Sequence, residues 1–112
     1  MNAKKLRVYI SGPISGYEDL NRPAFERAKK NLIDYGFEPV SPLDQVKPGD
    51  PEKKYLEYMV DALRLLDSCD AICMIGDWPE SYGALMEYLF AAREDKQRVY
   101  LEDGTMETFK LR

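Results

Sequence analysis

The chain has 112 residues, 45% of them hydrophobic and 32% charged, with a net charge of −4. That length suits one domain over residues 1–112, with a single hydrophobic core, and no apolar run approaches the ~20 residues that a membrane-spanning helix needs. The basic residues are scattered rather than gathered into a stripe, which argues against a nucleic-acid polymer as partner and leaves a small anionic ligand, held by a local cluster of donors, as the open case.

The amino-terminal "MNAKKLRVYISG" carries two lysines but too brief an apolar stretch for a secretory signal, so the expected location is the cytoplasm. "LRVYISG" (6–12) reads as a buried strand closed by glycine. "GPISGYEDLNRP" (12–23) reads as a loop, with Asn21 as the N-cap of a helix that holds Pro23 in its first turn. Ala24, Ala28, Leu32 and Tyr35, with Phe25 and Ile33 beside them, form an apolar face at helical spacing. Gly36 caps the far end of that helix, and "FEPVSP" (37–42) is a short second strand stopped by Pro42. "LDQVKPGDP" (43–51) is an irregular crossover before a helix over 52–67, whose buried stripe is Tyr55, Met59, Ala62, Leu63 and Leu66.

"CDAICMIG" (69–76) is nearly continuous apolar, as a central parallel strand buried on both faces should be. The loop "GDWPESYG", a helix reaching about Glu94 and a strand "RVYLE" (98–102) follow, and the tail "DGTMETFKLR" reads as an added edge strand or an arm laid across a partner. This alternation predicts an α/β fold: a Rossmann-like (flavodoxin-like) open sheet of four to five mainly parallel strands with helices on both faces. Ligands on such sheets bind beyond the carboxyl ends of the strands at the switch point, so "SGPISGYED" and "GDWPESYG" are expected to face each other across one crevice.

Ser81 and Gly83 stand where the helix after that second loop begins. Ser81 is either a plain N-cap or, with the free N–H groups beside it, part of a seat for a phosphate or carboxylate. Glu87 lies one turn deeper on the same helical side as Gly83. It is either a solvated helix residue or a carboxylate aimed into the crevice; Ala84, Leu85, Tyr88, Leu89, Ala91 and Ala92 leave little polar surface around it, and a desolvated carboxylate is usually functional or paired. In the first loop Gly12, Pro13, Ser15 and Gly16 let a ligand approach the backbone closely, but the third glycine of a dinucleotide fingerprint and the Gly-Lys-Ser/Thr ending of a phosphate-binding loop are both missing. Tyr9 reads as core or as a site residue on strand one, Asp61 as a solvated helix residue or an acid at a boundary, and Trp78 as an aromatic wall for a base or a cover for the core. Cys69 and Cys73 read as buried thiols; with no histidine in the chain, neither a zinc ligand set nor a Cys-His nucleophile can be assembled, and neither metal nor organic cofactor is expected.

"VYISGPISG" followed downstream by "CDAICMIGDWPESYGALMEYLFA" resembles the nucleoside 2-deoxyribosyltransferase superfamily, including its hydrolytic branch, the 2'-deoxynucleoside 5'-phosphate N-hydrolases. It looks nearest to a less characterised branch in bacteria and their viruses with G-[DN]-W-x-x-S-x-G-A-x-x-E-like segments, here "GDWPESYGALME". The resemblance spans about residues 7–94. It implies that Glu87 is the nucleophile attacking the anomeric carbon of deoxyribose, that Tyr9 orients it and that Asp61 assists the departing base. It also implies substrate contacts from Gly12, Ile14, Ser15 and Gly16 of the first loop and from Asp77, Trp78, Ser81 and Gly83 of the second. Ser15 stands where the hydrolases carry a basic residue, with Arg22 a nearby cation. The partners so implied are a small deoxynucleoside or deoxynucleotide and further copies of the chain, as a homodimer or higher homo-oligomer whose neighbouring subunits complete the pocket; no membrane is implied. A non-catalytic nucleotide or nucleotide-signal binder of the same fold is the rival expectation, and a structural protein without ligand is the third.

Overall fold

In the computed structural model, which describes residues 5–102 and 105–110, the chain forms β1 (Arg7–Ser11), α1 (Arg22–Asp34), β2 (Glu38–Val40), α2 (Pro42–Gln45), α3 (Tyr55–Asp67), β3 (Ala71–Met74), α4 (Tyr82–Arg93), β4 (Gln97–Glu102) and β5 (Thr105–Lys110). Residues 1–4, part of the stretch read for a targeting signal, and 103, 104, 111 and 112 of the tail lie outside the described residues. The strands form one sheet in the order β2-β1-β3-β4-β5. The first four run parallel, and β5 joins β4 antiparallel, with Gln97 opposite Lys110 and Glu102 opposite Thr105. This is the flavodoxin-like order with a reversed edge strand. Among the described residues no helix is long and apolar enough to cross a membrane.

Side-chain alternation on the central strands divides the core in two. Val8 and Ile10 of β1 and Ala71 and Cys73 of β3 meet Phe25, Ala28 and Leu32 of α1 on one face. Tyr9, Ile72 and Met74 point the other way, into Leu66 of α3 and Ala84 and Ala91 of α4. Helices therefore cover both faces. From β1 the chain adds β2 on one side and then β3 on the other, so the crevice beyond the carboxyl ends of β1 and β3 is the switch point.

Several local expectations are corrected. Asn21 does not cap α1 through its side chain. An N-cap side chain reaches forward from an extended backbone, whereas Asn21 is left-handed (φ 61°), and its amide instead donates to the Pro13 carbonyl at 2.9 Å. Pro42 does not simply stop a strand: Ser41 accepts from the Leu43 N–H, and Pro42 opens the short α2 inside the stretch expected to be irregular. The helix expected from residue 52 begins at Tyr55. Ile33, Tyr35 and Tyr55, counted among the apolar faces, are exposed: Ile33 is turned about 100° from the buried Leu32, Tyr35 follows the end of α1 and Tyr55 opens α3. The thiols of Cys69 and Cys73 are free and buried, and burial pushes Cys73 up to about 12.

Gly12 follows β1 and packs against Ile75 just after β3: a Cβ placed there would stand 2.5 Å from Ile75 Cγ1 and 2.9 Å from the Ile75 carbonyl oxygen. The backbone cannot yield as a flexible side-chain end would. Gly12→Ala is expected to lower unfolding stability by about 1–3 kcal/mol through overpacking, read as a shift of the urea midpoint at unchanged slope.

Candidate functional site

Tyr9 and Ser11 are two apart on β1, so both side chains leave the sheet on the α4 face. Glu87 descends from α4 onto them. The Tyr9 hydroxyl donates to Oε2 of Glu87, and the Ser11 hydroxyl donates to Oε1 at 2.6 Å. All three residues are buried, Glu87 to 4% exposure, so each carboxylate oxygen has exchanged water for one protein hydroxyl. Loss of water dominates: it raises the Glu87 carboxyl to about 7, against the two hydrogen bonds, which lower it. The Tyr9 hydroxyl is in turn raised well above its ordinary value, first by burial and then by the neighbouring Glu87 charge.

Glu87 lines a cavity of about 40 Å³ together with Gly12, Ile14 and Ser15 of the first loop, Ser81 and Gly83 at the start of α4, and Tyr55, Tyr58 and Met59 of α3. Two larger hollows adjoin it. One, about 260 Å³, runs along Ser15, Asp77, Ser81 and Gly83 and adds Pro13, Tyr17, Glu80 and Tyr82. The other, about 410 Å³, runs from Ile14, Ser15 and Gly16 past Leu20 to Lys47 and Lys53, with Tyr55 and Tyr58 as the shared wall. Burial, followed by the charge on Glu87, raises the hydroxyls of Tyr55 and Tyr58, so both stay protonated donors at neutral pH. The two loops expected to meet across a crevice do line the same hollows.

Ser81 caps α4 by accepting from the Ala84 N–H at 3.2 Å. The N–H groups of Tyr82 and Gly83 stand in the first turn of this 12-residue helix, where no intrahelical carbonyl reaches them and the helix dipole favours negative charge.

Two expected site residues take other places. Asp61 pairs with Lys53 at 2.9 Å, about half-exposed, and lines none of the three hollows. It follows the inward-facing Met59 by two positions, which at 100° per residue turns it to the far side of α3. Trp78 stacks on Tyr88 with ring centroids 4.9 Å apart, packs onto the core and lines none of these three hollows. Arg22, the nearby cation, faces Asp19 at 3.6 Å and also lies outside the hollows.

Ser11, Tyr55 and Tyr58 belong to the site and escaped the sequence reading. Ser11 was legible in principle, since period-two alternation puts it on the face of Tyr9. Tyr55 read as part of the buried stripe and Tyr58 carried no expectation, because nothing in their spacing says which strand end they overhang.

A mainly parallel sheet in this order, with helices on both faces, defines an α/β protein, and its fold matches that of a solved deoxyribosyltransferase. The 2-deoxyribosyltransferase from the psychrotolerant bacterium Bacillus psychrosaccharolyticus is similar with a TM-score of 0.65 and 18% identity over 85% of this chain and 71% of that one. A conserved protein from Enterococcus faecalis V583 is similar with a TM-score of 0.66 and 17% identity over 88% of this chain and 64% of that one. At such identities the shared property is the fold. The chain belongs to the family described as Domain of unknown function (DUF4406), which matches residues 6–100. A search of curated proteins finds no match.

The raised Glu87 carboxyl has a signed consequence. An unfolded glutamate titrates near 4.5 and this one near 7 when folded. Between those values the folded chain keeps a proton that the unfolded chain has lost, so stability falls as pH rises through the window and levels off above it. Glu87→Gln, whose amide can accept from Tyr9 and donate to Ser11, removes that slope. Relative to wild type it is expected to gain about 3 kcal/mol between pH 4.5 and 8, measured as the difference between two pH series of urea unfolding.

Proposed function

We propose that the protein cleaves or exchanges the N-glycosidic bond of a 2'-deoxynucleoside or its 5'-monophosphate, with Glu87 as nucleophile. The observation that carries this reading is a desolvated carboxylate gripped by two hydroxyls at the switch point and still open to a cavity. Its setting is that of a group made to act on a bound molecule rather than to stabilise a helix.

One Glu87 oxygen attacks C1′ as the C1′–N bond breaks; the bonding pair leaves with the base, which takes up a proton, and a glycosyl ester forms on the carboxyl. Water then adds at C1′, losing a proton, and frees the sugar and the carboxylate, or a nitrogen of a second base takes the place of water. Tyr9 and Ser11 hold the carboxylate by its far side, and their donated hydrogen bonds stabilise it each time it leaves C1′. With Asp61 engaged by Lys53, the carboxyls positioned to relay a proton to the base are Asp77 and Glu80, which line the 260 Å³ hollow.

The cavity at Glu87 is far smaller than the ~300–1,000 Å³ of ordinary small-molecule sites, so a nucleoside would place its anomeric carbon there and extend into both adjoining hollows. A 5'-phosphate would find the first-turn N–H groups of α4 on one side or Lys47 and Lys53 on the other. The displaced Asp61 favours a second reading, in which the same site holds a nucleotide without turning it over.

The partner on the outer surface is proposed to be a second copy of the chain. α4 is apolar on nearly every side, and a helix of that kind is normally buried all round. Yet Tyr82 is 83%, Leu89 63% and, on the adjacent α3, Leu56 71% exposed. A copy seated there would border Tyr55 and Tyr82, which line the hollows, and so narrow the open site.

The test of the reaction is free base, followed by chromatography, from the four deoxynucleosides and their 5'-monophosphates. Wild type is expected to release base from at least one, with Glu87→Ala slower by roughly 10³-fold or more, as for loss of other nucleophiles. No release from any of them, together with a ligand-induced rise in Tm, would leave the binding reading in its place. Sedimentation should show a dimer for wild type and a monomer for Leu56→Glu/Leu89→Glu; an unchanged mass would remove the second copy from that face.

A further inference from the structure

Glu87 is held at both oxygens, but the two hydroxyls are not equivalent. Tyr9 lies deep under α3 and α4, among Leu66, Ile72 and Met74, where a tyrosine would also serve as core. Ser11 contributes almost nothing apolar. It is the last residue of β1, buried to 1% exposure, its carbonyl accepts from the Ile75 N–H at 2.9 Å, and the chain then turns through Gly12 into the wall of the cavity. A hydroxyl in that place needs a partner, and the partner it has is Oε1 of Glu87.

We propose that Ser11 is a positioning residue for Glu87: its hydroxyl fixes the rotation of the carboxyl group about its terminal bond and stabilises the ionised form that must meet a ligand. With Tyr9 alone, the group could swing about a single hydrogen bond; with both, its plane is set by two donors on one strand. This inference rests on the proposed reaction for its catalytic meaning, but its physical content concerns Glu87 alone. The titratable groups facing that carboxyl are Tyr9 from β1 and Tyr55 and Tyr58 from α3, all neutral at the pH of interest. Burial raises the Glu87 carboxyl, and the hydrogen bond from Ser11, ahead of that from Tyr9, opposes it by favouring the charged form.

The experiment follows the Glu87 side-chain carboxyl by carbon NMR in glutamate-labelled protein, with Glu87→Gln identifying its signal, in wild type, Ser11→Ala and Ser11→Thr. Removing a hydrogen bond to a charged acceptor is expected to move the midpoint upward by about one pH unit in Ser11→Ala, and Ser11→Thr, which keeps the hydroxyl, is expected to restore it. The acid limb of kcat/KM should shift with it, so that activity at a pH below the limb falls about tenfold while the plateau above it changes less. A residue that merely fills space would change Tm and leave the midpoint where it was. An unmoved midpoint in folded Ser11→Ala overturns the proposal whether or not the protein has activity. A moved midpoint in a protein that releases no base keeps the role of Ser11 and removes the reaction.

Discussion

The structure turns on one costly act, the burial of the Glu87 carboxylate beneath α4. A charge taken from water must be repaid by hydrogen bonds or be neutralised by a proton. Here two hydroxyls from a single strand partly repay it, and the residual cost appears as a carboxyl lifted to about 7. The requirement reaches outward. Tyr9 and Ser11 must point to one face, so β1 must be regular through Ser11, and α4 must pass close over its carboxyl end. That in turn places Gly12 against Ile75, where no side chain fits.

Around this centre the crevice is electrically divided. The α4 start offers backbone N–H groups but carries Asp77 and Glu80 beside them, whereas the opposite hollow holds Lys47 and Lys53, the latter already engaged with Asp61. Neither side is a simple anion trap. The first loop adds backbone strain, since Asp19, Leu20 and Asn21 pass in succession through the left-handed region, a conformation that costs non-glycine residues on the order of 1 kcal/mol or more each. The Asn21 amide bonded to the Pro13 carbonyl ties that turn back across the loop, and Leu20 from it reaches the wall of the lysine hollow.

Much of this was legible in the residues. The continuous apolar "AICM" and the run "VYI" closed by Ser11 and Gly12 mark central strands because both patterns correspond to burial on both faces. Gly36 with φ 91° ends α1 where a left-handed residue was expected. The segment "GDWPESYGALME" brought Asp77, Ser81, Gly83 and Glu87 to one strand end, since a loop followed by one helical turn can reach no farther. Less legible were features that depend on what lies across the space: Asn21 turned back to Pro13, Trp78 folded onto Tyr88, and Ser41 capping a helix too short to leave a periodic signal.

From its own order the chain determined the α/β alternation, the crevice between the first and third strands and the carboxylate one turn into the last helix, because each is set by local periodicity and by short connections. Tertiary structure decided what that carboxylate touches. Ser11 became its second donor because α4 crosses β1 at that residue, and Tyr55 and Tyr58 became walls because α3 overhangs the same strand end. Asp61 was carried away from the crevice because its rotation about α3 follows from which neighbours, Met59 and Ala62, the sheet buries. Contacts between residues far apart in sequence depend on the angle at which packed elements cross, and no pattern along a single element contains that angle.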